Sequence, residues 1–147
     1  MRTLIVLVAV ALLGVLAGPR SAAAQSGFVV IVNDGNAARS ISRDDLSQIF
    51  LKQRTDFPSG LAALPVDLSD GSPVREAFSQ SVHGRSNSAV DAFWQRQIFS
   101  GRGVPPLQKA SDDEVLAYVR SNAGAVGYVS RGTALGGGVH AVQVVDR

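Results

Sequence analysis

The chain has 147 residues, with 14 Lys and Arg, 12 Asp and Glu and no cysteine. The absence of cysteine excludes disulfides, thiolate catalysis, Cys-bound metals and an N-terminal cysteine that carries lipid. The basic residues are scattered along the chain, so the composition does not support nucleic-acid binding, which usually shows a face of clustered Lys and Arg.

The N-terminus has the three-part pattern of a secretory signal peptide. Arg2 precedes the uncharged apolar run TLIVLVAVALLGVLAG, and small residues in an Ala-x-Ala arrangement end at Ala24. The run is slightly short for a membrane span, which needs roughly 20 apolar residues; an uncleaved anchor is the alternative. We therefore expect residues 1–24 to be a signal peptide, residues 25–147 to form one domain, and the mature protein to be periplasmic.

Removal of this segment changes the charge of the chain. The segment holds two of the 14 basic residues, Arg2 and Arg20, and no acid, which leaves 12 residues of each sign. The mature chain is therefore expected to be formally neutral.

The first half of the mature chain alternates between strand and helix patterns. FVVIVN predicts a strand covered on both faces. SRDDLSQIF, after a loop, predicts a helix in which Ser42 and Asp45 are spaced as a capping box. LAALPVD predicts a second strand, in which Pro65 indicates an edge or irregular position. A second helix is predicted from Pro73 to Gly84.

The second half continues the alternation. NSAVDAFWQRQIF predicts a third helix, and Ser111 with Glu114 forms a capping box that opens a fourth. AVGYV and VHAVQVV predict two more strands. Four strands interleaved with four helices predict one α/β domain with a mixed or parallel sheet flanked by helices.

Helical periodicity also predicts which side chains are buried. In the second and third helices the apolar positions recur on one face of each. The predicted core residues of these helices are Val74, Phe78, Phe93, Trp94 and Ile98. The opposite face of the second helix, which includes Ser72, Arg75, Glu76 and Ser79, is expected to be solvated.

Four segments carry a resemblance to a known family. LSQIFLKQRTDFPSG, DGSPVREAF, FWQRQIFSGRGVPP and NAGAVGYVS, in this order, resemble the middle lobe of the periplasmic phosphate-binding proteins that serve ABC importers. The resemblance covers residues 30–145. It implies a type II periplasmic-binding-protein-like fold, in which two α/β lobes hold an anion between helix N-termini and nearby hydroxyls. The chain is too short for both lobes, so the resemblance implies a single-lobe member.

The turn DGSPVR carries the predicted ligand site. In the family this turn typically reads Arg, three residues, then Ser-Gly-Thr, and it contacts phosphate through backbone N–H groups, two hydroxyls and the arginine. Here Leu68 stands in place of the arginine and Ser72 matches the serine, while Pro73 and Val74 replace the glycine and the threonine. A helix start of this kind favours anions. The predicted ligand-binding residues are Gly71, Ser72, Val74 and Arg75.

Two hypotheses for the function follow. In the first, the chain binds phosphate or a similar oxyanion and contributes to ABC-type uptake or sensing with a membrane transporter or sensor component. In the second, the lobe has lost its ligand and acts as a protein–protein module in the envelope, or associates with itself. Arg75 at a helix start, against the helix dipole, favours the first. The altered Ser-Gly-Thr sequence favours the second, in which Ser72 is an ordinary N-cap and Arg75 pairs with Asp67 or Asp70 on a solvated face.

Catalysis, a cofactor and a metal are not expected. A serine nucleophile would need a Gly-x-Ser-x-Gly turn, but the residues two positions from Ser72 are Asp70 and Val74. No pattern ties His83 or His140 to Ser72. Two histidines without cysteines or clustered carboxylates make a poor metal site. The sequence therefore predicts a non-catalytic binding module.

Overall fold

A six-stranded mixed sheet lies at the centre of the computed structural model, which describes residues 27–146. The predicted signal peptide lies outside the described residues. The strand order across the sheet is β2-β6-β1-β5-β3-β4. The strands are β1 (Phe28–Asn33), β2 (Ser40–Ser42), β3 (Leu64–Leu68), β4 (Leu107–Lys109), β5 (Ala125–Ser130) and β6 (Val139–Val145).

Four α-helices flank this sheet, which confirms the predicted fold class. They are α1 (Arg43–Phe50), α2 (Pro73–Phe78), α3 (Asn87–Phe99) and α4 (Asp112–Ser121), and α2 continues into a π-helical turn over Ser79–His83. Each α-helix begins after a serine whose hydroxyl accepts a hydrogen bond from the N–H three residues later, which satisfies one free donor of the first turn. Among residues 27–146, none of the helices is long and apolar enough to cross a membrane.

The sheet is mixed, and the pairing of its strands explains how Pro65 fits within β3. β1 is antiparallel to both β5 and β6, whereas β3 is parallel to β5 and β4. Pro65 lies opposite Val126 of β5, and β4 begins one residue further along, where Leu107 lies opposite Val66. Proline is tolerated in this interior strand because β4 does not reach it. The short strands β2 and β4 were not predicted.

The two faces of the sheet are covered by different helices. Val115 and Val119 of α4 pack over Gly127 of β5. The next residue of β5, Tyr128, points to the opposite face, since side chains alternate along a strand. There its ring stacks on Phe78 of α2, with ring centroids 3.9 Å apart and planes 5° from parallel. Phe28 of β1 and Phe50 of α1 pack on the same two rings, and this aromatic cluster holds α2 against the sheet.

The predicted core of α2 is confirmed at Phe78, which is 1% exposed, but the predicted solvated face is wrong. Arg75 and Ser79, both assigned to that face, are buried. Val74 is only partly buried against the core. The helix is covered on a second side, because the beginning of α3 lies next to it: Ser79 Oγ donates to Asn87 Oδ1 at 2.6 Å.

The predicted core of α3 is confirmed at Trp94 and wrong at Ile98, which is 50% exposed. Trp94 packs with Val90 and Leu51 in a small cluster apart from the main core, and Phe93 is partly buried against it. The last turn of α3, which carries Ile98, lies beyond this cluster. Helical periodicity therefore wrongly predicted that the last turn of α3 is buried.

Candidate functional site

The turn between β3 and α2 brings the four predicted ligand-binding residues together. Gly71 has a φ of +83°, a conformation that glycine adopts most readily. Ser72 Oγ accepts a hydrogen bond from Arg75 N–H at 3.3 Å, and Pro73 occupies the first helical position, where its missing N–H costs little. The side chain of Val74 packs against the core, so only its backbone N–H is suited to bind a ligand.

The guanidinium of Arg75 is bound by three carboxylates. Nε lies 3.3 Å from Asp67 Oδ2, Nη1 lies 2.5 Å from Asp70 Oδ1, and Nη2 lies 2.9 Å from Asp91 Oδ1. The Arg75 side chain is only 2% exposed, so the prediction that it lies on a solvated face is wrong. Its predicted pairing with Asp67 or Asp70 is present, and both pairs form at once.

The burial of Arg75 follows from where these acids lie. Asp67 is at the end of β3, Asp70 is in the loop before α2, and Asp91 is on α3, so the guanidinium is enclosed from three sides. A buried charge is tolerated when it is paired and hydrogen-bonded. Burial alone would lower the pKa of Arg75, but the hydrogen bond that Arg75 donates to Asp91 and the negative charges of Asp67 and Asp91 outweigh it and raise that pKa. Arg75 therefore stays charged.

Asp67 links this ion cluster to the core. Its Oδ1 accepts hydrogen bonds from the Tyr128 hydroxyl and, at 2.9 Å, from Leu68 N–H. Burial raises the pKa of Asp67, while the bonds from Tyr128 and Arg75 oppose that rise. Burial and the neighbouring Asp67 charge also raise the pKa of Tyr128, which keeps its hydroxyl protonated as a donor. Arg75 is therefore fixed by residues that belong to the sheet as well as to the helices.

The charges around the start of α2 are mainly negative. One guanidinium faces three carboxylates. Two of these carboxylates are open to solvent, since the Asp70 side chain is 71% and the Asp91 side chain 40% exposed. An anion that approaches Ser72 would meet these carboxylates, and like charges repel. Arg75 is thus placed to bind the protein's own acids rather than a free anion. Contact of Gly71, Ser72, Val74 or Arg75 with a ligand stays a prediction.

Sequence reasoning missed two residues of this cluster, Asp91 and Tyr128. Asp91 is a single acid on α3, and acids on helices are usually solvated, so its spacing gives no signal. Tyr128 is part of AVGYV, a pattern that predicts a strand but gives no role for the tyrosine hydroxyl. A buried arginine paired with acids from several elements could not be identified from spacing along the chain.

The two histidines lie in other places. His83 Nδ1 is 2.8 Å from Ser47 Oγ, and burial lowers the pKa of His83 to about 4, so the ring is neutral near neutral pH. His140 is hydrogen-bonded to Asp34 and to the backbone of Ala38. The hydroxyl of Ser72 instead accepts from Arg75 N–H. Within residues 27–146, no group of three or more His, Asp or Glu side chains could hold a metal ion.

Comparison with solved structures shows that the chain has the fold of one lobe of the phosphate-binding receptors of ABC transporters. An ABC-type phosphate transport receptor from Vibrio cholerae superposes with a TM-score of 0.62 at 21% identity, over 80% of this chain and 46% of that one. A protein from Clostridium perfringens, solved with bound phosphate and assigned to the phosphate ABC transporter substrate-binding proteins, gives 0.62 at 20% identity, over 80% and 44%. PstS from Borrelia burgdorferi gives 0.61 at 11% identity, over 80% and 46%.

These likenesses confirm the resemblance predicted from the sequence at the level of the fold. The chain spans less than half the length of these receptors. No protein-family profile matches the sequence, and no curated protein matches it.

Proposed function

We propose that the chain is an exported, non-catalytic binding module built on a single lobe of the phosphate-receptor fold. The signal-peptide pattern of residues 1–24 supports export. The fold and the serine-capped helix start at the end of β3 support a binding role. The partner or ligand of such a module is then decided by the chemistry at this helix start.

The binding of Arg75 to three carboxylates favours a protein partner over a free anion, and it is the observation that carries this proposal. A free anion would have to displace carboxylates that are covalently part of the same chain and already in contact with the guanidinium. The module has, in this interpretation, replaced the ligand with Asp67, Asp70 and Asp91. It then acts in the envelope as a protein–protein interaction module.

Weak binding of phosphate or a related oxyanion is the second candidate function. It is favoured by the fold likeness to receptors named for phosphate, one of them solved with bound phosphate. Such an anion would contact the Val74 N–H at the start of α2, and it would link the chain to ABC-type uptake or sensing. Much of the ligand would stay hydrated on a lone lobe, so the dissociation constant would be on the order of millimolar.

Calorimetric titration of the mature protein with phosphate, sulfate and molybdate, read in parallel by Trp94 fluorescence, separates the two candidates. The interaction module predicts no saturable binding up to tens of millimolar anion. Saturable binding that is lost in Ser72→Ala and kept in Ser111→Ala would establish the oxyanion function instead. Ser111 is the matched control, because it caps α4 in the same way.

Export is tested by the mass of the protein recovered from the periplasm of an expressing bacterium. Cleavage after Ala24 gives a chain that begins at Gln25. Recovery of the full-length chain in the membrane fraction would show an uncleaved anchor.

A further inference from the structure

The end of α3 and the loop after it expose apolar side chains that the proposed function does not use. Phe99 is 91% exposed, Val104 is 61% exposed, and Ile98 and Leu107 are each about half exposed. We call residues 96–107, which include all four, the α3 tip. The four lie within ten residues of the chain, and exposed apolar surface that is concentrated in this way is typical of a site of contact with a protein or a membrane.

The α3 tip is an ordered turn. Gly101 N–H donates to the Ile98 carbonyl at 3.0 Å, and Arg102 N–H donates to the Gln97 carbonyl at 2.9 Å, so the chain folds back over the last turn of the helix. Gly101 has a φ of +66°, which allows this reversal. The Lys52 ammonium donates to the Pro105 carbonyl at 3.4 Å, so the turn after α1 lies against the same loop.

The charged residues of the α3 tip are all basic. The sequence has no acid between Asp91 and Asp112, whereas Arg96, Arg102 and Lys109 fall in that interval. Arg96 and Arg102 are exposed and lie three positions before and three positions after Phe99 in the chain, and Lys52 adds a third exposed cation. The tip therefore combines protruding apolar groups with a positive border, although the mature chain as a whole is formally neutral.

We propose that the α3 tip docks on an anionic lipid bilayer. The apolar side chains enter the region between headgroups and acyl chains, while Arg96, Arg102 and Lys52 pair with lipid phosphates, the two contributions that hold proteins at a bilayer surface. A bilayer fits better than a protein groove because almost none of the Phe99 ring contacts its own protein. Acyl chains accept a protruding ring without a complementary pocket.

Co-sedimentation with lipid vesicles tests this proposal on the mature protein, using phosphatidylcholine alone or with about a third phosphatidylglycerol. We expect binding to the anionic vesicles, at least tenfold weaker binding to the neutral ones, and weakening in high salt, because exposed charges are screened. Phe99→Ser and Arg102→Glu should each reduce the partition coefficient about tenfold. Arg39→Glu is the matched charge control, since Arg39 is exposed beside β2, at the opposite edge of the sheet from β4.

The unfolding midpoint of every variant is measured first, and it should not change because the substituted side chains are exposed. Three results would overturn the proposal: no binding to anionic vesicles, equal binding to neutral vesicles, or equal losses in Arg39→Glu and Arg102→Glu. Self-association that sedimentation detects without lipid and that Phe99→Ser abolishes, with no vesicle binding, would assign the tip to a second copy of the chain. Binding to an acidic polypeptide but not to anionic vesicles would assign it to a protein.

Discussion

Nη2 of Arg75 lies 2.9 Å from Oδ1 of Asp91, and this contact joins α2 to α3. The same guanidinium reaches β3 through Asp67. One side chain therefore connects the two helices and the strand that surround the candidate site, and its place is set by acids from outside its own helix.

Replacement of Arg75 should destabilise the fold strongly. Arg75→Met keeps an unbranched apolar stem but leaves Asp67 buried without its cation, a change that typically costs about 3 to 5 kcal/mol. Arg75→Lys should cost less, since it keeps the charge but cannot bind three carboxylates through a planar fork. Urea denaturation at neutral pH measures both, with Arg39→Met as the exposed control. A free energy of unfolding for Arg75→Met within about 1 kcal/mol of the wild type would show that the cluster does not stabilise the fold.

The contrast between Arg75 and Phe78 shows what the sequence could predict. The burial of Phe78 follows from apolar periodicity within one helix, and the structure agrees. The burial of Arg75 depends on Asp91, sixteen positions away, and on the approach of α3, which local periodicity does not contain. The α/β class and the four helices were predictable because they depend on local patterns. The ion cluster was not, because it is formed only by tertiary contacts.

Gly127→Ala should destabilise the protein because α4 packs directly on this position. A Cβ atom there would lie 2.8 Å from Val115 Cγ1 and 2.8 Å from Val66 Cγ1, closer than carbon atoms pack. Overpacking of this kind costs about 1 to 3 kcal/mol. Gly137→Ala is the matched control, because a Cβ at Gly137 would meet nothing within 4 Å. Equal thermal midpoints for the two variants would show that α4 moves away at no cost.

Truncation to alanine should have different effects on stability at Phe78 and Ile98, although the sequence predicts that both are buried. Phe78→Ala removes a ring stacked on Tyr128 and should cost about 3 to 5 kcal/mol. Ile98→Ala should change the free energy of unfolding by less than about 0.5 kcal/mol, because the Ile98 side chain is half exposed. Chemical denaturation of both variants checks the difference. A large loss in Ile98→Ala would mean that α3 packs on the protein through its last turn as well.

Stability should fall as the pH drops below neutrality, because His83 is partly buried and the folded state favours its neutral form. Burial lowers its folded pKa to about 4 from 6.5, so in this window the unfolded chain binds more protons than the folded one. The contribution of His83 is therefore complete above the unfolded pKa and is lost as the pH falls towards the folded pKa. Between about pH 7 and pH 5 the expected loss is about 2 kcal/mol.

The variant that tests this pH dependence is His83→Gln. His83→Gln removes the titrating group while keeping a hydrogen-bonding side chain opposite Ser47, so its stability should be nearly flat between about pH 7 and pH 5. A wild-type slope in His83→Gln would show that other groups cause the pH dependence.

The exposure of Ile98 in the last turn of α3 is a second feature that could not be predicted from the sequence. Ile98 continues the spacing of Val90 and Trp94, so its exposure could not be predicted from periodicity. The helix contacts its small cluster only as far as Trp94, and the cluster depends on Leu51 from the end of α1. How much of α3 is buried therefore depends on where the end of α1 lies relative to it, and local periodicity does not contain this information.

Removal of two acids from the Arg75 cluster should create phosphate affinity. In the double variant Asp70→Asn and Asp91→Asn, Arg75 keeps Asp67, and its two outer nitrogens face neutral amides at the solvated side of the cluster. Each carboxylate removed lowers the repulsion of an anion at Ser72 by about 1 kcal/mol at an intermediate dielectric, so phosphate affinity should rise at least about tenfold. Calorimetry measures the change against the control double variant Asp44→Asn and Asp113→Asn, which removes the same charge from the exposed first turns of α1 and α4. Equal affinities in the two double variants would show that the acids around Arg75 do not exclude phosphate from the start of α2.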